Sequence, residues 1–528
     1  MRVLRRCAAL LWLLAAALLG AEAPPAFEIG PYLTHLGTDR VTVSWQTREP
    51  AAGWVECSRG AEAPRVLEEA RAQLLHHATL DGLATGREYR YRVTSGDVAT
   101  PFRRFMTAPE KPAPFRFAQY GDSCENPEVH RRVARAIASH HPAFVVHTGD
   151  FLLQGDKGKR WAEDFFAPAR ELLAEHPLVV TCGDNERRAM ESCCDLFGLP
   201  RDRTWYAWSF GGVEFFVLDS CAALEAPTPA LPVNGEGVLP PPVHGGIEGG
   251  RVPGSGAPQV RWLAEALAAS RARWKIAVVH HPLYSCGRHG AHDGLRRSVI
   301  RLFLRHGVDL VLSGHDHLYE RSRPIGEGPE PARNALVQIV SGGGGQSLSP
   351  AVPQAWTAQA ASRHGFCLFD VEREQITVTA YSDADEPLDR FVLSKKDGRK
   401  SFESALSAEQ LEVIACYRRF DRNRFPFVRG TAHAERFEFP VRNPFEREIR
   451  GELSWEIANR CWRTEPLRQG IVVPPGGEVK VRFEAAYAPE PGAVEPDPIP
   501  RAVLTSGDLR ATALGVYLFE DKPRTKGR

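Results

Sequence analysis

His315 and His317 stand two residues apart in Gly314-His315-Asp316-His317-Leu318-Tyr319-Glu320-Arg321, directly after the apolar run at 308–312. Such a run reads as a buried strand. Two imidazoles on a Gly-preceded loop at the carboxyl end of a strand can face adjacent metal ions. Four motifs upstream supply partners: Gly121-Asp122, Gly149-Asp150, Gly183-Asp184-Asn185-Glu186 and His280-His281-Pro282. A single Gly-Asp is ordinarily a turn, and a single His-x-His is ordinarily surface or packing. Five such motifs in succession, each after a strand-like run, mark a site. Carboxylate with imidazole suits iron, zinc or manganese better than calcium. Two such ions repel each other, so a bridging carboxylate is needed. A water held between them loses a proton near neutral pH and becomes a nucleophile. The ions also neutralise charge on phosphoryl oxygens during transfer. The chemistry implied is two-metal hydrolysis of a phosphoester.

The elements that must position these groups are legible between 115 and 398. Apolar runs at 115–120, 144–147, 178–181, 213–218, 276–280 and 308–312 read as strands. Amphipathic stretches at 129–139, 260–269 and 295–305 read as helices. This alternation predicts a layered α/β domain, with ligands gathered at the carboxyl ends of the strands. Before it, Arg40–Thr47 alternates as a half-buried strand does, and residues 27–108 read as a β-sandwich. After it, 402–416 reads as a helical or connecting segment, and 425–520 as a second β-sandwich without a ligand-like cluster. The insertion at 222–258 is rich in Pro and Gly, and a loop that long is either functional or mobile. The run Gly342-Gly343-Gly344-Gly345 is read either as a tight turn or as a place where backbone approaches the site.

With 528 residues the chain exceeds one core, and about three domains are expected. A formal net charge of +1, with no long basic stripe, argues against nucleic acid as a partner. Arg2, Arg5 and Arg6 precede the apolar segment 8–19, too short to span a bilayer comfortably. Ala21-Glu22-Ala23 follows as a small-x-small site, so 1–23 reads as a cleaved secretory signal. The expectation is a secreted or periplasmic chain with no membrane association after cleavage. Eleven cysteines, one of them in that segment, permit disulfides in an oxidising compartment. Cys182, Cys193 and Cys194 lie close in sequence, Cys221 and Cys286 are candidates to join them in space, and connectivity is not readable. Oligomeric state has no signature here.

The five motifs resemble those of the metallophosphoesterase superfamily, in its purple acid phosphatase-like branch. The likeness covers roughly 27–395, and 315–321 is its most specific part. Leu80-Asp81-Gly82-Leu83 followed by Tyr89-Arg90-Tyr91-Arg92-Val93 is similar to the tyrosine-bearing corner of fibronectin type III domains, and an N-terminal domain of that kind fits the same branch. The resemblance implies a multidomain chain: an α/β metallophosphoesterase, a layered β-sandwich flanked by helices, between an N-terminal and a C-terminal β-sandwich. It implies that Asp150 bridges two metal ions, that Asp122 and His317 complete one position, and that Asp184, His280 and His315 complete the other.

Two positions depart from that pattern. Leu153 stands where the family carries a Tyr, so the phenolate that gives the purple colour is missing and one coordination position needs another group. Cys124 is a candidate for it, since a thiolate is an adequate ligand for iron or zinc; a disulfide or a buried thiol is the alternative. Asp184-Asn185 stands where the family has Asn-His. Asn185 cannot donate a proton as the usual His does toward phosphate and leaving group. His281 and His289 are candidates to substitute, and packing or surface exposure explains them equally well. The expected substrate is a small phosphoester. The alternatives are another ester or anhydride on the same metal pair, or a degenerate, non-catalytic binding protein built on this scaffold.

Overall fold

The computed structural model describes residues 27–153, 160–221, 256–326, 334–354, 356–396, 399–401, 406–407, 424–427, 431–443, 448–457, 460–489, 500–507, 509–514 and 517–520. The signal-like segment and most of the 222–258 insertion lie outside these residues.

Two seven-stranded sheets form the centre. The first runs Arg399–Ser401, Pro387–Lys396, Gln375–Ser382, Gly365–Val371, Phe115–Tyr120, Phe144–His147, Leu178–Val180. Its last three strands are parallel. The second runs Tyr206–Phe210, Val213–Val217, Trp274–Val278, Leu310–Ser313, Val337–Ser341, Tyr319–Ser322, Thr357–Ala361. Four strands in its middle, from Val213–Val217 to Val337–Ser341, are parallel. Strands buried on both faces read as continuous apolar runs, and the alternation of contacts shows both faces in use. Phe117, Phe144 and Val146 of the first sheet share one core with Phe215, Val217, Ile276, Val278, Leu310 and Leu312 of the second. Ala118, Tyr120 and Val145 point the other way, onto Val129, Val133 and Ile137. Phe216, Leu218, Ala277 and Val311 likewise meet Leu263, Val299 and Phe303 on the outer face of the second sheet. The layers are therefore helix, sheet, sheet, helix.

Two helices start earlier than hydrophobic periodicity alone suggests because their first turns are set by caps. Pro127–Ser139 begins behind Asn126, whose side chain accepts from the N–H groups of Glu128 and Val129, with Pro127 in the first turn. Asp293–His306 begins behind His292, which accepts from Leu295 N–H, and ends at Gly307 with φ 71°. The third helix is Gly256–Ala269. Four strands also end differently from the apolar runs: Leu178–Val180, Val213–Val217, Trp274–Val278 and Leu310–Ser313. Pairing stops before Thr181 and His280, leaving both on the loops that carry the motifs.

Ahead of this sandwich, Phe27–Thr34, Val41–Ser58, Arg65–Leu80, Glu88–Ser95, Val98–Ala99 and Arg103–Met106 form one bent sheet. The first part of Val41–Ser58 pairs with Phe27–Thr34 and the last part with Glu88–Ser95, and its pairing with Arg65–Leu80 shifts register between Gln46, Ala51 and Gly53. The Tyr89 hydroxyl accepts from Ala84 N–H at 2.7 Å. This sheet is tied to the central layers by Tyr91 Oη donating to Ala174 O (2.6 Å) and Trp208 Nε1 donating to Leu36 O (2.6 Å). At the other end of the chain, His433–Arg442, Glu478–Tyr487 and Trp462–Glu465 form one sheet, and Arg468–Val473, Ile449–Glu456, Arg501–Ser506 and Leu509–Leu514 another. They face each other through contacts such as Trp455 on Phe483, 4.5 Å between ring centroids. Of 402–416 only Leu406–Ser407 is described, a short strand beside Ile325–Gly326; the rest of that segment lies outside the described residues. Among the described residues no helix is long and apolar enough to cross a membrane.

Candidate metal centre

The acidic motifs leave the first sheet and the histidine motifs leave the second, all at the carboxyl ends of parallel strands. Asp122 follows Phe115–Tyr120, Asp150 follows Phe144–His147, and Asp184 follows Leu178–Val180. His280 follows Trp274–Val278, and His315 and His317 follow Leu310–Ser313. Asp122, Asp150 and His315 sit at φ 56°, 58° and 68°. Asp and His are among the few side chains that adopt this left-handed conformation, and such strain gathers at functional sites.

The structure brings six of the proposed ligands together. His280 Nε2 lies 3.0 Å from Asp184 Oδ1 and 3.4 Å from Asp150 Oδ1. His315 Nδ1 lies 3.1 Å from Asp184 Oδ1 and 3.2 Å from His280 Nε2. His317 Nε2 lies 3.9 Å from Asp122 Oδ1. Ligand atoms of Asp122, Asp150 and His280 form one close group, and those of Asp184, His280, His281 and His315 another. His317 and Cys124 fall outside both.

The hydrogen bonds on the far side of the rings decide which nitrogens are free. His280 Nδ1 is 2.8 Å from Thr148 O, and His317 Nδ1 is 2.8 Å from Ser347 O. A carbonyl only accepts, so each Nδ1 carries the proton and each Nε2 turns a lone pair toward the carboxylates. Lone pairs and carboxylates in contact are what a metal site requires. The donor set fits iron, zinc or manganese. Burial, then the neighbouring Asp150, pushes the Asp122 carboxyl well above its usual range. Burial, then Asp184, raises Asp150 to about 7.

Several contributors were not singled out in the sequence. Glu186 is fully buried and accepts from Asp150 N (2.9 Å), Phe151 N (2.9 Å), Leu152 N (3.2 Å) and Gly183 N (2.8 Å), so it clasps two ligand loops together. Its return to Gly183, three residues back, is the spacing of a capping box, and that signal was available. Asp316 accepts from Ser285 Oγ, from His289 N (2.7 Å) and from Gly290 N (2.9 Å), fixing the loop that carries His289. Gln346 donates to Cys124 Sγ (2.9 Å) and Asp150 Oδ2 (3.4 Å). The glycine run before it is a close approach: a Cβ on Gly342 would meet Asp316 O at 2.4 Å and Asp122 Oδ2 at 2.8 Å. Gly344 N donates to Gly121 O at 2.9 Å. None of the four is at positive φ, so the close approach, rather than left-handed backbone, is what calls for glycine here.

The three residues proposed to act on substrate are placed very differently. Asn185 is buried, with its amide on Leu152 O at 2.8 Å and its N–H on Asp150 Oδ1 at 3.1 Å; it braces the bridging loop. His281 is 5% exposed and packs beneath His315. His289 is exposed, its ring 4.9 Å from that of His315 and 5.4 Å from that of His317. Cys124 is a buried free thiol, its pKa driven up by burial and then by Asp150. Cys182 and Cys193 approach to 3.0 Å, whereas Cys286 lies apart with Leu318 and Val340. A cavity of about 490 Å³ between Leu36 and Trp208 is lined by none of the candidate ligands.

Residues 115–319 match the calcineurin-like phosphoesterase family. Acid phosphatase type 7 of Mus musculus is 28% identical over 63% of this chain and 82% of its own. The Homo sapiens protein of that name is 27% identical over 65% and 85%. A purple acid phosphatase from yellow lupin (Lupinus luteus) seeds superposes with a TM-score of 0.55 at 18% identity, covering 70% of this chain and 74% of the lupin chain.

Proposed function

We propose that this chain, which carries a calcineurin-like metallophosphoesterase domain homologous to the purple acid phosphatases, is an exported phosphoester hydrolase that works through two metal ions. The supporting observation is the meeting of three carboxylates from one sheet with three imidazoles from the other, two of the rings held by backbone carbonyls with a lone pair inward. Asp122 and His317 would hold one ion, Asp184, His280 and His315 the other, with Asp150 between. When bound, such ions lower the pKa of a water and cancel charge on a phosphoryl group. Leu153 supplies no oxygen ligand. Cys124, joined to Asp150 through Gln346, would be the candidate for that place as a thiolate, against the burial that raises its pKa.

The side chains of this chain do the remaining work. Glu186 and Asn185 hold the Asp150 loop. Asp316 holds the 285–290 loop, so that His289 stands at the mouth, above His315 and His317. There its ring meets phosphoryl or leaving-group oxygen, the duty that Asn185 cannot perform. Export is supported by the sequence of residues 1–23.

The test is metal analysis of the purified chain followed by turnover of aryl and alkyl phosphate mono- and diesters. Two ions per chain are expected, with hydrolysis lost on chelation and regained on metal addition. Asp150→Ala should abolish turnover with the fold retained, since both ions lose a ligand. Full activity in Asp150→Ala rules out a two-metal site. A metal-free wild type inert to every ester favours the non-catalytic alternative.

A further inference from the structure

We infer that His281 is a direct ligand of the ion held by Asp184, His280 and His315, and that Ser220 sets its ring for that task. The inference rests on the two-metal function proposed above and adds a group to one half of it. His281 Nε2 lies 3.8 Å from Asp184 Oδ1. Its ring centroid is 4.2 Å from that of His315 and 4.9 Å from that of His280. One ligand atom from each of Asp184, His280, His281 and His315 falls within 4.8 Å of all the others. Four ligands about 2.1 Å from one tetrahedral zinc stand about 3.4 Å apart. Four of the six separations among them are 3.0, 3.1, 3.2 and 3.8 Å, near that edge, and Asp150 Oδ1, 3.4 Å from His280 Nε2, stands at the same range as a further ligand.

The other nitrogen of the ring is accounted for. His281 Nδ1 is 2.7 Å from Ser220 Oγ, and the same oxygen accepts the backbone N–H of His281 at 3.1 Å. A hydroxyl oxygen has two lone pairs, so Ser220 Oγ can accept both N–H groups, and in that tautomer Nε2 is bare toward Asp184. This repeats the arrangement at His280 and His317, where an acceptor on Nδ1 fixes the ring with Nε2 inward. Burial removes the alternative. With 5% of its surface exposed and both nitrogens engaged inward, His281 has no face to offer a leaving group. His289 has one.

The experiment titrates the metal-free full-length chain with zinc by calorimetry and records the visible spectrum of the cobalt(II)-substituted chain. His281→Ala and His281→Gln should each weaken one of the two zinc affinities by more than about 100-fold and change the cobalt bands. Ser220→Ala, which removes an outer partner, should weaken the same affinity by about 10-fold. His289→Ala, which removes a ring that also packs on His315, should leave both zinc affinities unchanged. Two zinc ions bound with unaltered affinities and cobalt spectra in both His281 variants overturns the ligand assignment while sparing the two-metal function. Fewer than two ions bound by the wild type overturns both. If neither variant folds by circular dichroism, X-ray absorption on the wild type loaded with two zinc ions decides: four imidazoles per pair are expected, and three overturn the assignment.

Discussion

Glu186 and His289 divide the labour at the level of single residues: one is buried and touches only backbone, the other is exposed and faces the mouth. Each Glu186 oxygen takes two N–H groups. A Gln at this position turns its NH₂ against two of those donors and leaves them unpaired. Buried donors without acceptors cost about 1–3 kcal/mol each, so Glu186→Gln should destabilise the metal-free chain by roughly 2–4 kcal/mol in urea unfolding; a change below about 0.5 kcal/mol would refute the clasp. His289→Ala should lower turnover of alkyl phosphates by about 10²–10³-fold and of aryl phosphates far less, because only the poorer leaving oxygen needs a proton. Asn185→His should give no gain on either class, since position 185 is directed at Leu152 O rather than at the mouth. Equal losses on both esters in His289→Ala would show that the ring acts elsewhere.

Loops and strands set how closely these groups can approach. A Cβ on Gly183 would stand 2.0 Å from Asp150 Oδ1 and 2.6 Å from Asp150 N. Gly183→Ala must therefore displace the bridging carboxylate, with a cost of about 1–3 kcal/mol for overpacking and a loss of metal affinity readable by calorimetry. Gly307→Ala is the contrast: it has φ 71° and open space around it, so it should cost about 1–2 kcal/mol from backbone strain and leave metal binding intact. Matched metal affinities in the two variants would refute the close-approach role. The strands themselves were legible because both faces are buried, as at Phe117 and Ala118, and buried runs are apolar without interruption. Their ends were less so, since His280 continues an apolar run after pairing has stopped at Val278. Cap chemistry at Asn126-Pro127 would have given the helix start. The glycine run left two alternatives open because spacing does not report φ, and what lies 2.4 Å from a missing Cβ belongs to another loop.

At the scale of the whole molecule the centre is a seam between two sheets. The order of motifs along the chain suggested the ligands, but not that acids would come from one sheet and imidazoles from the other, nor that His281 would lie buried while His289 stood exposed; those depend on packing between residues far apart in sequence. The seam has a consequence for stability. Without metal, Asp150 and Glu186 are raised to about 7, by burial first and then by neighbouring carboxylates. In the unfolded chain such groups titrate near 4. A carboxyl raised on folding binds its proton more tightly in the folded state, so its contribution is fully present below pH 4 and is lost as pH rises through 7. The metal-free chain should thus lose stability between pH 4.5 and 7.5, on the order of a few kcal/mol, as charge accumulates on the acidic side of the seam. A metal ion reverses the trend, because it binds the ionised carboxylates and stabilises the folded state by about 2.7 kcal/mol at a free concentration of 100 times Kd. Melting temperature against pH, with chelator and with zinc, tests this. The two curves should diverge as pH rises, and Asp150→Ala should bring them together. Parallel curves in the wild type would mean that the carboxylates are not held at the metal seam and that the sheets are joined by their apolar core alone.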